Sequence, residues 1–195
     1  YLERGEKLAC IALDKTGTLT AGAPTLTDVI PQNGREPGEV LRLAASIEAS
    51  SEHPVAKALV SAYKGDLQKV TGFAALTGRG VAGVVDEVEY RVGNHRLVES
   101  TGVCSPEIEQ QLQTLEQQGK TCLVLMSRDS VLAIFAVADH VRETSPAAVA
   151  ALKGIGIHPV VLSGDNQRTT TAVALQVGID DARGELLPDD KLQAV

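Results

Sequence analysis

The sequence predicts an α/β protein: a doubly wound parallel sheet interrupted by an inserted α+β domain. Three observations carry that expectation. The apolar stretch Leu8-Ala9-Cys10-Ile11-Ala12-Leu13 reads as a buried strand and runs straight into the string Asp14-Lys15-Thr16-Gly17-Thr18-Leu19-Thr20. After Asp139 a strand and helix alternation resumes, and in it Val160-Val161-Leu162 leads into Ser163-Gly164-Asp165-Asn166. The segment between them has a different texture, two helices first and then alternating strands.

In chain order, the inserted segment begins with helical spacing over Glu36 to Ser50 and Pro54 to Tyr63. Strands follow from Val70 to Gly93, broken at Thr77-Gly78-Arg79-Gly80 and at Val85-Asp86-Glu87, where turn residues punctuate the alternation. A helix over Ser105 to Gln118 and strands over Thr121 to Ser127 and Val131 to Val137 complete it. Beyond Asp139, Ser145 to Gly154 is a helix with Pro146 near its start and His158 to Leu162 a short strand. Asn166 to Val177 is a helix ended by Gly178, and Pro188 begins a last one. The expected division is therefore 1–24 with 138–195 as one domain and 25–137 as the insert, with crossings near Ala23 to Thr25 and at Ala138.

Composition limits the function classes. The 195 residues, 44% hydrophobic and 22% charged, suffice for two modest cores, and a net charge of -7 without Lys or Arg clusters argues against a nucleic-acid surface. Cys10, Cys104 and Cys122 are odd in number, scattered and without CxxC spacing, so they suggest neither disulfides nor a zinc site and fit reduced thiols. The longest apolar run, Val131 to Ala138, is far short of the roughly 20 residues that span a bilayer and reads as a strand. No signal peptide is recognisable. The chain opens at Tyr1 and stops inside the helix begun at Pro188, which reads as a piece of a longer protein.

Asp14 is the candidate nucleophile, because reacting groups in open α/β sheets collect where strands end. A lone Asp there usually caps a turn, but the whole string adds the cation of Lys15, the hydroxyls of Thr16 and Thr18, and Gly17, which lets the backbone turn around a phosphate. Ser163 and Asp165 form a second strand-end motif, a turn of donors that could bind phosphoryl oxygens or could be a plain turn. Lys191, in the first turns of the last helix, reads by itself as a solvated lysine. Asp139 and Arg142 can pair at the surface, for about 0 to 1 kcal/mol. In the insert, His53 before Pro54 is a helix-entry residue or a ligand-binding one, and Gly78 and Gly80 suit any tight hairpin.

The string Asp14 to Thr20 resembles the phosphorylation signature of the P-type ATPases, within the haloacid-dehalogenase-like group of phosphoryl-transfer proteins. Glu48, the run Ser51-Glu52-His53-Pro54, Gly78-Arg79-Gly80 and Gly93-Asn94 occur in the order found in the heavy-metal subgroup of these pumps. The resemblance implies ATP and Mg²⁺ as cofactors. It implies that Asp14 accepts the γ-phosphoryl group, with Asp14 and the Thr16 carbonyl holding the metal and Lys15, Thr18, Ser163 and Lys191 spreading charge. His53 would orient adenine, Glu48 read its amino edge, Gly78 and Gly80 admit the nucleotide to the backbone, and Gly93-Asn94 meet sugar or phosphates. Related phosphatases carry a second Asp where Thr16 stands, and Thr16 is no general acid near neutral pH, so the phosphoenzyme should persist. Ser163 replaces the Thr usual in these pumps and keeps the hydroxyl.

As partners the resemblance implies transmembrane and actuator domains of the same parent chain and a heavy-metal cation bound outside this region. The parent would be an integral membrane protein of a bacterial inner or plasma membrane, with this region cytoplasmic. The family's Gly-Asp-Gly-x-Asn-Asp loop would lie past Val195, so the fragment alone should be incomplete for turnover. The lead-in Tyr1-Leu2-Glu3-Arg4 and the ending Leu186-Leu187-Pro188-Asp189-Asp190-Lys191 resemble zinc, cadmium and lead exporters more than copper exporters. A soluble phosphatase of the same fold and a nucleotide-binding regulatory module are the other readings. Histidines 95, 140 and 158 stand as structural or solvent-facing.

Overall fold

The computed structural model describes residues 8–193. Strand β1 (Cys10–Asp14) ends at the candidate nucleophile, and the chain then closes a wide turn in which the Thr20 N–H donates to the Lys15 carbonyl at 3.2 Å. Gly17, at φ +79, provides the left-handed step inside that turn. Strand β2 (Thr25–Pro31) enters a separate compact unit made of residues 24–115 and 120–138. Helices α1 (Pro37–Glu48) and α2 (Pro54–Ala62) come next, each with a proline in its first turn, where no N–H is needed. Strands β3 (Thr71–Leu76), β4 (Gly80–Val85) and β5 (Val88–Gly93) form a meander, followed by helices α3 (His95–Thr101) and α4 (Pro106–Gln117). Strands β6 (Thr121–Met126) and β7 (Val131–Ala138) close the unit.

These six strands form one antiparallel sheet in the order β2-β7-β6-β5-β4-β3. Strands β6 and β7 are buried on both faces. Leu123, Leu125 and Phe135 pack with Val40, Leu43, Ile47 and Leu59 of α1 and α2, whereas Cys122, Val124, Met126 and Ile134 pack with Leu97, Leu112 and Leu115 of α3 and α4. That is why both strands read as continuous apolar runs without alternation. A fully buried side chain such as Phe135 contributes about 1.5–3 kcal/mol.

The other unit comprises residues 8–23, 116–119 and 139–193 of the described chain. Helix α5 (Ser145–Gly154), strand β8 (His158–Leu162), helix α6 (Gln167–Gln176), strand β9 (Asp181–Arg183) and helix α7 (Pro188–Gln193) give a parallel sheet in the order β1-β8-β9. Its core gathers Leu19, Val149, Val161, Ala174, Val177 and Ile179.

Several expectations need correction. β1 is not a buried strand: its residues alternate between exposed and half-buried, and it lies at the edge of the described sheet, while β8 at the centre is the buried one. Three elements go unread in the sequence. β2 carries Asp28 and Pro31, which only an edge strand tolerates, and a register shift between Leu26 and Asp28 breaks its pattern. α3 and β9 are too short to show a period. Among the described residues no helix is long and apolar enough to cross a membrane.

Candidate active site and nucleotide site

β1 and β8 are parallel neighbours with Asp14 opposite Leu162, so Asp14 and Ser163 emerge side by side at the carboxyl ends of adjacent strands. That crevice is where open α/β sheets bind ligands. The Asp14 carboxylate is about half exposed, 49%, and Lys191 Nζ of α7 donates to its Oδ1 at 2.6 Å. An ion pair this open contributes only about 0 to 1 kcal/mol to stability, so its value is electrostatic. Ser163 is buried at 2% exposure, and its Oγ donates to Asp165 Oδ2 at 2.9 Å.

Lys15 occupies a different place from the one expected. Its ammonium is buried and pairs with Asp165 Oδ2 at 2.8 Å, so it braces the Ser163–Asp165 turn, while the cation on Asp14 is Lys191. A buried ammonium persists only when paired, and Asp165 supplies the partner. Thr16 and Thr18 are exposed on the turn.

Asp139 and Arg142 do not simply pair at the surface. Asp139 accepts from Thr20 Oγ1 at 2.5 Å and from the N–H groups of Gly22 and Ala23 at 3.1 and 3.2 Å. Arg142 donates to the carbonyls of Thr20, Gly17 and Ala21 at 2.9, 3.1 and 3.3 Å. Together they clamp both sides of the loop after Asp14. Thr20 is the residue that went unremarked in the sequence; its place at the end of the Asp14 string was the available signal.

For a hard divalent cation, the Asp14 carboxylate and Thr16 carbonyl are suitable oxygen donors, and both residues are open to solvent. This donor chemistry fits Mg²⁺, which keeps several waters when bound.

In the other unit the expected nucleotide residues fall into two groups. Gly78, Gly80, Gly93 and Asn94 lie on the paired ends of β4 and β5: Gly80 is the register partner of Gly93, Asn94 Nδ2 donates to the Gly78 carbonyl at 2.9 Å, and the Asn94 N–H donates to the Arg79 carbonyl at 2.8 Å. A Cβ on Gly80, at φ +148, would stand 2.1 Å from the Val92 carbonyl oxygen, and one on Gly93 would stand 2.3 Å from that of Arg79. The close approach of β5 is by itself enough to require glycine at position 80. On the α3 face of the sheet an open cavity of about 450 Å³ is lined by Arg79, Arg91 and Arg128 with Leu97, Ser100 and Thr101, and Arg91 is paired there with Glu89 at 2.8 Å.

Glu48 and His53 form the second group, on the link between α1 and α2. Ile47 packs at the Gly83 position of β4, three residues from Gly80, or about 10 Å at strand spacing. His53 caps α2: its Nδ1 accepts from the Val55 N–H at 3.3 Å, which leaves the exposed Nε2 as the protonated nitrogen of the neutral ring.

Glu48 is only 4% exposed, and burial pushes its carboxyl up to about 7, opposed by a hydrogen bond from Ser51. Because this lies above the ordinary 4.5, the folded protein keeps the proton over a window in which the unfolded chain has lost it. The contribution of Glu48 to stability therefore falls as pH rises from about 4.5 through about 7, by about 3 kcal/mol in all. Glu48→Gln cannot ionise and is expected to lose that slope. Urea unfolding at about pH 5 and about pH 8 checks it; parallel profiles for the two proteins would refute the buried-proton account.

His95 is buried, with Nε2 2.5 Å from Glu109 Oε2, and Cys104 Sγ lies 3.9 Å from the same oxygen. The thiol is pushed up in pKa by burial and by the carboxylates of Glu109 and Glu99. His158 sits 3.8 Å from Asp181, and His140 contributes its carbonyl, which accepts from the Ala21 N–H.

A family model described as "Hydrolase: haloacid dehalogenase-like hydrolase" matches residues 8–195. Copper-transporting ATPase 1 of Rhizobium meliloti (strain 1021) is 43% identical over 188 residues, covering 95% of this chain and 23% of the relative. A probable cadmium-transporting ATPase of Staphylococcus aureus is 38% identical over 204 residues, covering 100% and 25%. Among solved structures, the catalytic domain of the CPx-ATPase CopB-B has a TM-score of 0.75 at 25% identity, covering 100% of this chain and 68% of that one. A zinc-transporting PIB-type ATPase in its E2.Pi state has a TM-score of 0.64 at 31% identity, covering 96% and 31%. The chain spans about a quarter of the length of the curated relatives it matches.

Proposed function

The chain belongs to the haloacid dehalogenase-like hydrolase family, and from that premise we propose that it is the ATP-binding and aspartyl-phosphorylation region of a heavy-metal-transporting P-type ATPase. The observation that carries the reading is the meeting of Asp14, Lys191 and Ser163 at the carboxyl ends of two adjacent parallel strands. In this reading an Asp14 carboxylate oxygen attacks the γ-phosphorus of ATP in line; the new O–P bond forms as the bond to the ADP oxygen breaks, and ADP leaves with the electron pair. Lys191 neutralises Asp14 before the phosphate arrives and the phosphoryl oxygens afterwards. Ser163 would donate to the same oxygens on turning its hydroxyl away from Asp165, which Lys15 continues to hold. Thr18, exposed on the turn, adds a hydroxyl. Asp14 and the Thr16 carbonyl would hold Mg²⁺, which when bound supplies positive charge against the phosphate oxygens.

ATP itself is assigned to the other unit. Glu48 and His53 take the adenine end, and Asn94 with the Gly78 turn takes the sugar or phosphates. His53→Ala is expected to weaken ATP binding about tenfold, while loss of the α2 cap costs about 0.5–1 kcal/mol. Calorimetry on this chain checks the first figure and unfolding the second; unchanged affinity with the expected loss of stability would leave His53 as a cap alone.

For the whole protein we infer a membrane pump with this region on the cytoplasmic side, joined to transmembrane and actuator domains. Its cargo is a heavy-metal cation. The ending Leu186 to Lys191 supports zinc, cadmium or lead, and the likeness to a copper-transporting relative supports copper as the second reading. The test is acid-quenched labelling of the whole protein by ATP carrying radiolabel on the γ-phosphate, with each metal in turn. A covalent, hydroxylamine-labile label stimulated by one metal is expected; hydrolysis of small phosphomonoesters without any such label would favour a phosphatase instead.

A further inference from the structure

We propose that His95, Cys104 and Glu109 form a binding site for a thiophilic divalent cation of the Zn²⁺ and Cd²⁺ class. The three residues come from three pieces of backbone: His95 opens α3, Cys104 lies in the link between the helices, and Glu109 is on the first turn of α4. One ligand atom from each lies within 4.8 Å of the others. The set is mixed, one imidazole nitrogen, one thiol sulfur and one carboxylate oxygen, which suits a borderline-soft ion and not Mg²⁺ or Ca²⁺. Candidate oxygens for Mg²⁺ at Asp14 have none of this character, so the two sites differ in chemistry and lie in different units.

Little movement would be required. Bond lengths of about 2.0–2.3 Å in tetrahedral geometry separate ligand atoms by about 3.3–3.7 Å. The His95–Glu109 contact, now 2.5 Å, would open by about 1 Å as the ion replaces the proton between them, and the Cys104–Glu109 separation of 3.9 Å would close slightly as Cys104 releases its thiol proton to solvent and binds as the thiolate. Glu109 is partly exposed and carries the adjustable side chain, whereas His95 is fixed by burial. The other Glu109 oxygen accepts from Gln113 Nε2, an outer contact of the kind that orients metal-ligating carboxylates. With three protein ligands the fourth position is left to water. The sequence conceals the site because its ligands lack zinc-motif spacing.

The experiment uses the tag-free chain, reduced and stripped of metal by a chelator, titrated with CdCl₂. One equivalent should bind with thiolate-to-cadmium charge-transfer absorption in the ultraviolet, and ZnCl₂ should displace it. Cys104→Ser should lose the absorption and weaken cadmium affinity by more than about tenfold, with Cys10→Ser unchanged. A second readout needs no variant: alkylation of Cys104 in the unaltered chain, mapped by mass spectrometry, should slow about tenfold with ZnCl₂, while that of the exposed Cys10 stays the same. Absorption that persists in Cys104→Ser, or Cys104 alkylation indifferent to zinc, would overturn the proposal and leave His95–Glu109 as a hydrogen bond joining two helices.

Discussion

Asp14→Asn in the whole protein is expected to abolish the acid-stable phosphoenzyme, with labelling falling to the level of a reaction lacking enzyme. An amide oxygen is a poor nucleophile, and an acyl phosphate could form from Asn only by expelling the amide nitrogen as ammonia, so no residual slow reaction is expected. The substitution keeps the size of the side chain, and the Lys191 contact it weakens is an open surface pair of about 0 to 1 kcal/mol. Fold and ATP binding should therefore survive, and calorimetry on the same preparation separates lost chemistry from lost structure. Normal labelling of the variant would end the proposed role of Asp14.

Gly80→Ala should cost the fold about 4 kcal/mol or more, the largest stability effect anticipated for a single methyl group in this chain. The added Cβ would meet the Val92 carbonyl oxygen at 2.1 Å and the Gly93 Cα at 2.5 Å, both backbone atoms of the paired strand that cannot rotate away. The positive φ adds strain that an L side chain rarely accepts. β4 and β5 would have to part at the end that carries Asn94. Gly78→Ala serves as the comparison: Gly78 sits at φ +68, and its substitution should cost only about 1 kcal/mol. Denaturant midpoints for the two variants decide the matter. A Gly80→Ala protein of normal stability that fails to bind ATP would show instead that the glycine makes room for ligand.

Much of the architecture was legible because it is written in local pattern. Ser145–Gly154 and His158–Leu162 match their expected bounds, and α1, α2, α4, β6 and β7 differ by a residue or two at their ends. Their period and turn residues carry the signal without help from the rest of the chain. β2 is illegible in the sequence because an edge strand with a register shift has no regular alternation, and α3 because seven residues hold less than two full helical repeats. The apolar composition of β1 suggests burial, yet burial depends on which strands lie beside it.

The site divides in the same way. Asp14 and Ser163 could be paired on paper, since each ends an apolar strand and parallel strands deliver their carboxyl ends to one crevice. Which lysine meets Asp14 could not. Lys15 is adjacent in sequence but turns to Asp165, and Lys191 arrives from the last helix. Asp139 and Arg142 were visible as a pair of charges, but their joint hold on the loop from Gly17 to Ala23 follows from the return of the chain after β7. Sequence by itself determined the chemical groups available and the strand ends that carry them, because strand period, turn glycines and the Asp14 string are properties of neighbouring residues. Tertiary structure alone decided the burial that raises Glu48, the strand contact that requires Gly80, and the meeting of His95, Cys104 and Glu109. Those depend on side-chain direction and desolvation among residues distant in the chain, and neither exists until the sheets and helices have packed.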